Sequence, residues 1–171
     1  MIKRIAVAFA ACALTVTPGE AITRNEFVAR LKTIGVELIR HDTCQPEGEE
    51  PVFGSYDAGT NTMCVNNSLF EAGNEALWDE TVTHEAVHVM QDCINGFDEG
   101  TLVSFIDHAI ENGIDTEPLR EFVSKNLSPN YYEFINSIEN GFIRDVEIEA
   151  YALEQSPDLV YDMLSSVCLE R

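Results

Sequence analysis

The spacing of apolar residues changes character near Asn74. Between Val36 and Asn74 the apolar runs are short and broken by Gly, Asn and Pro; beyond Asn74 apolar residues return every three or four positions, the period of helices with one buried face. Thr23-Arg24-Asn25-Glu26 reads as a capping box, with Phe27, Val28, Leu31 and Ile34 on one side of the helix it opens and Gly35 as its stop. Residues 36–39 read as a short strand and 41–51, polar and acidic, as a loop. Residues 52–56, 57–60 and 61–65 read as strand, turn and strand. Helices are expected at about 74–95, 100–112, 116–126, 130–139, 143–155 and 157–168, punctuated by Gly96, Gly113, Pro118, Pro129, Gly141 and Pro157. The fold class is therefore α+β: a short N-terminal β-hairpin or sheet packed on a mostly helical C-terminal part. At 171 residues one domain is expected.

The first residues stand apart from this pattern. Met1-Ile2-Lys3-Arg4 is a basic start, and the apolar run from Ile5 to Val16 is the length of a signal-peptide core, too short to span a bilayer. Gly19 and Ala21 are small residues at cleavage spacing, so the division is 1–21 signal peptide and 22–171 folded domain. A cut after Ala13, a lipid-anchored Cys12 and a buried N-terminal helix are the other readings. Export predicts a secreted or periplasmic protein.

Charge narrows the partners. The chain carries 10 basic and 30 acidic residues, net −20. With Lys3, Arg4 and Glu20 removed, 8 and 29 remain, net −21. Nucleic acid and anionic membrane both need a positive footprint, so neither is an expected partner after signal removal. A monomer is expected. Loss of Cys12 leaves Cys44, Cys64, Cys93 and Cys168, an even number that allows three pairings. The favoured set is Cys44–Cys64, closing a local strand-rich loop, and Cys93–Cys168, tying a central helix to the C-terminus. No Cys-x-x-Cys pair is present, which argues against a cysteine-built zinc site.

Candidate chemistry lies in THEAVHVMQDC, residues 83–93. On a helix His84 and His88 are about 40° apart, opposite a core stripe of Val82, Ala86, Val89, Met90 and Cys93. Imidazoles at i and i+4 can reach one zinc ion, with Glu85 placed beside it where a water would sit. A catalytic zinc needs a third protein ligand. A third histidine on the same segment is excluded, because Gln91 and Ile94 occupy the glycine and histidine positions of that pattern. His108 has no motif around it. The remaining candidate is the acidic helix of residues 145–154, whose core line is Val146, Ala150 and Leu153.

HEAVH followed by a downstream Glu-x-x-Ala helix resembles the gluzincin metallopeptidases. The resemblance covers about residues 52–169 and implies a small zincin-like domain that hydrolyses peptide bonds. It implies zinc held by His84, His88 and a glutamate, with Glu85 as the base toward a water activated at the metal. Glu147 and Glu149 both fit the family spacing, yet lie about 200° apart on a helix, so only one can face the metal. Glu147 is the preferred third ligand because Tyr151 could then hydrogen-bond a ligand histidine; Glu149 is the alternate. Tyr131, Tyr132, Tyr151 and Tyr161 are candidate oxyanion donors, and the strands around Tyr56 and Met63 offer an edge for an extended peptide. The competing reading is a non-catalytic, exported, disulfide-stapled binding module whose HExxH is accidental or holds a structural zinc.

Overall fold

The computed structural model describes residues 21–44, 52–68, 73–97 and 100–169. The signal-peptide reading falls on residues 1–20, outside this set. Helix α1 (Arg24–Ile34) starts at the expected capping box: Glu26 N donates to Thr23 Oγ1 and Thr23 N donates to the Glu26 carboxylate. It stops at Gly35, whose φ of +96° is the left-handed conformation that glycine adopts without a Cβ clash. Phe27 and Leu31 are its buried residues.

Three strands follow: β1 (Glu37–His41), β2 (Gly54–Asp57) and β3 (Thr62–Asn66). The hairpin β2–β3 is antiparallel, and β1 adds to the far side of β3 in parallel, giving the order β1-β3-β2. Met63 and Val65 of the middle strand are fully buried, whereas β1 is largely exposed. Strand β2 has no neighbouring strand on its other side among the described residues.

The helical part comprises α2 (Glu75–Ile94), α3 (Phe105–Glu111), α4 (Glu117–Asn126), α5 (Tyr132–Ser137), α6 (Gly141–Leu153) and α7 (Pro157–Leu164). A 3₁₀ turn at Pro129–Tyr131 precedes α5, and a π-helical turn at Ser165–Leu169 follows α7. The expected helix over 100–112 begins only at Phe105, because Ser104 caps it and a distant carboxylate takes its first N–H groups, as described below. Helix α6 begins at Gly141, earlier than the apolar spacing suggests, because Asn140 Oδ1 accepts from the N–H groups of Phe142 and Ile143.

Helix α2 is the centre of the molecule. It packs against β2, β3, α6, α7 and the π-helical turn, so it is buried nearly all round. That departs from a helix with one apolar stripe and one open face: Thr81 and Gln91, on the histidine side, are buried, as are Val82 and Met90 on the other. Two disulfides secure this arrangement, Cys44–Cys64 and Cys93–Cys168, the pairing favoured by the sequence. The second links the end of α2 to the C-terminal turn across 75 residues of chain. No helix among the described residues is long and apolar enough to cross a membrane.

Candidate metal centre and the cleft above it

The buried residues of α6 include Val146, Glu149, Ala150 and Leu153, spaced as one helical stripe. The next stripe around, Glu147, Tyr151 and Glu154, turns toward the histidine face of α2. Glu147 Oε2 lies 3.3 Å from His84 Nε2, and Glu147 Oε1 lies 3.5 Å from His88 Nε2. His84, His88 and Glu147 each offer a ligand atom, and all these atoms fall within 4.8 Å of one another. Two imidazole nitrogens and a carboxylate oxygen are a donor set that zinc accepts, and the spacing leaves room for one ion among them.

The outer nitrogens of both imidazoles are also engaged. His84 Nδ1 is 3.0 Å from Glu154 Oε2, and His88 Nδ1 is 2.8 Å from Gln91 Oε1. Each histidine therefore turns Nε2 toward Glu147 and Nδ1 toward an oxygen acceptor, the arrangement that orients a ligating imidazole. The Tyr151 ring packs edge-on against His84 at 4.5 Å, with Tyr131 stacked on it at 4.1 Å. In place of the expected hydrogen bond between Tyr151 and a histidine, His84 Nδ1 donates to Glu154, one turn further along the same face of α6.

Glu149 lies elsewhere. Fully buried, it accepts hydrogen bonds from Gln91 Nε2, Ser104 Oγ, Phe105 N and Ile106 N at 2.8–2.9 Å, and so holds the start of α3. The 200° separation from Glu147 on a helix is the reason. His108, in α3, is not among the grouped ligand atoms.

Glu85 is 6% exposed and sits beside this trio under β2. Burial pushes its carboxyl up, against the opposing pull of His84 and His88. Strand β2 crosses α2 here so closely that a Cβ on Gly54 would fall 2.6 Å from Thr81 Cγ2 and 3.0 Å from Glu85 Oε1. Burial would lower the His84 pKa, yet its hydrogen bonds to Glu147 and Glu154 and the charge of Glu85 prevail and raise it to about 10. For Glu147 burial acts upward, but the bonds from both histidines outweigh it and hold the carboxyl well below its usual range.

These groups form the floor of a cleft of about 740 Å³. Residues 52–56 make one wall; Tyr131, Phe134, Ile143 and Tyr151 are on the helical side. Among the described residues no Lys or Arg lines it, and Glu80 and Glu154 add to its acidic floor. Phe53, Phe134 and Ile143 are about half exposed, leaving the rim apolar. Of the candidate oxyanion donors, Tyr131 and Tyr151 line the cleft; burial is the largest cause raising both phenols, so they stay protonated donors. Tyr132 is exposed away from it, and Tyr161 packs on Phe27 and Arg30.

Sequence reasoning missed the roles of Gln91, Glu154 and Gly54. A faint signal exists for two of them: Gln91 is three residues after His88, and Glu154 is seven after Glu147, spacings that share a helix face. Compared with known proteins, the chain matches no protein family, no curated protein and no solved structure.

Proposed function

We propose that the protein is an exported, monomeric zinc peptidase of gluzincin type, secreted or periplasmic. The observation that carries this reading is the convergence of His84 Nε2, His88 Nε2 and Glu147 at the floor of an open cleft, with the buried carboxyl of Glu85 beside them. A site that served only to hold structural zinc would close over the ion with four protein ligands; among the described residues three group here, beside an open cleft. Two disulfides suit an oxidising compartment.

His84, His88 and Glu147 would hold the zinc. When bound, zinc supplies Lewis acidity and brings the pKa of a coordinated water to about 7. Glu85 accepts the water's proton at its carboxylate and returns it to the leaving amine. A hydroxyl from Tyr131 or Tyr151 donates toward the developing oxyanion. The substrate is an extended peptide whose backbone pairs with the outer edge of β2, a role inherited from the gluzincin resemblance and supported by the position of β2 along the cleft.

Metal analysis of the purified protein, paired with Glu85→Gln in a general peptidase assay, tests this. The protein should hold one zinc, and Glu85→Gln should keep it while losing nearly all hydrolysis, because the base goes and the ligands stay. Zinc retained by a wild-type protein without hydrolysis of any peptide in a mixed library would sink the enzyme and leave a zinc-binding module.

A further inference from the structure

Gln91 is buried beneath the histidine face, and its amide has no freedom of orientation. One end, Nε2, lies 3.0 Å from Val146 O and 2.9 Å from Glu149 Oε2. A backbone carbonyl and a carboxylate can only accept from it. Flipping the amide would set its oxygen against both, so the NH₂ group faces them and Oε1 faces His88. An oxygen acceptor 2.8 Å from His88 Nδ1 requires the proton on that nitrogen. The lone pair is then left on Nε2, the atom turned toward Glu147.

We propose that Gln91 and Glu149 form a positioning relay that fixes the Nδ1–H form and ring orientation of His88, so that Nε2 is presented to the metal. This rests on the zinc-site reading above. Neither residue touches the ion; Gln91 acts through His88, and Glu149 acts through Gln91. Glu149 is itself held by Ser104 Oγ and the N–H groups of Phe105 and Ile106, which anchors the relay to the start of α3. The glutamate that faces away from the metal thereby has a role in the site. A merely structural alternative is that Glu149 only caps α3 and Gln91 only fills space.

Two readouts separate these. Zinc affinity, by competition with a chromophoric chelator, should fall about 10- to 100-fold in Gln91→Met, which keeps the volume but removes both ends of the amide. Glu149→Gln should weaken zinc in the same direction, about 10-fold, because its amide places N–H groups against existing donors. In ¹⁵N-histidine-labelled, zinc-loaded wild type, His88 should show metal on Nε2 and a slowly exchanging proton on Nδ1. That proton should exchange faster in both variants. Wild-type affinity and an equally protected Nδ1–H in both variants would overturn the relay while leaving the zinc site intact. Coordination of His88 through Nδ1 in the wild type would overturn it without any variant, even if neither substitution folds. Failure of the wild type to take up zinc would instead remove the site reading, and the relay with it.

Discussion

Glu147 and Glu154, two turns apart on α6, hold opposite nitrogens of one ring: Glu147 Oε2 is 3.3 Å from His84 Nε2, and Glu154 Oε2 is 3.0 Å from Nδ1. The helix thus supplies His84 with both a partner at the candidate metal position and a partner behind it. Glu154 is 4% exposed, so this second contact is shielded from water. Glu154→Ala is expected to weaken zinc roughly 10-fold or more, as removal of carboxylates behind ligating histidines does, while Glu154→Gln loses less because its amide oxygen still accepts. Chelator competition on the two variants measures the difference; equal affinity for Glu154→Ala and wild type would show that this contact does not orient the ring.

Gly54 sets how closely β2 can approach Glu85. A methyl group there meets Thr81 Cγ2 at 2.6 Å and Glu85 Cγ at 3.1 Å, too close for either contact to stand without a shift of β2 or of these side chains. Gly54→Ala should displace β2 or Glu85, with a stability loss of about 1–3 kcal/mol, the range for overpacked sites. Hydrolysis should fall by at least 10-fold with zinc content unchanged, since misplacing a base costs rate without costing a ligand. Normal turnover in a folded Gly54→Ala protein would show that β2 does not hold Glu85.

The metal-free protein should have a defined pH range of greatest stability. His84 is raised from 6.5 to about 10 in the folded state, so its contribution is complete below about pH 6.5 and disappears as pH rises through 10. Glu147 is lowered from 4.5, so its contribution is present above about pH 4.5 and is lost as pH falls. Thermal unfolding of chelator-treated protein should therefore peak between about pH 4.5 and 6.5, the window the two groups share, and decline toward pH 10. Stability rising steadily from pH 6.5 to 9 without metal would contradict the ion pairing of His84.

Cys93–Cys168 spans 75 residues, so on the chain-entropy account it contributes about 4 kcal/mol. Replacing both cysteines by serine should lower the unfolding temperature by roughly 10 °C. The native chain should weigh about 4 Da less than the fully reduced chain, one hydrogen per thiol in two bridges. Four titratable thiols on native protein would exclude both bridges.

Much of this was legible in the sequence because the signals were local. The Thr23–Glu26 box, the Gly35 stop, the turn between β2 and β3, and the i, i+4 histidines each depend on neighbours within one turn of chain. The start of α3 was not, since Glu149, more than 40 residues away, takes its N–H groups. The same holds for the parallel pairing of β1 with β3. The choice between Glu147 and Glu149 depends on how α6 is rotated against α2, and that rotation follows from which stripe of α6 is more apolar. Glu149 belongs to the buried stripe, where a carboxylate is tolerated only because four donors meet it. Composition predicts the opposite placement for a glutamate, so the sequence left both open.

The trio of grouped ligand atoms draws on two distant stretches of chain, with both histidines early and Glu147 late. A chain emerging from a ribosome acquires them in that order. Its first half can close Cys44–Cys64 as soon as β3 is out, yet Cys93 waits for a partner near the end. A nascent or truncated chain that stops before α6 holds an imidazole pair with no carboxylate opposite it and no Glu154 behind it. The order of synthesis thereby withholds the complete site until α6 has been made.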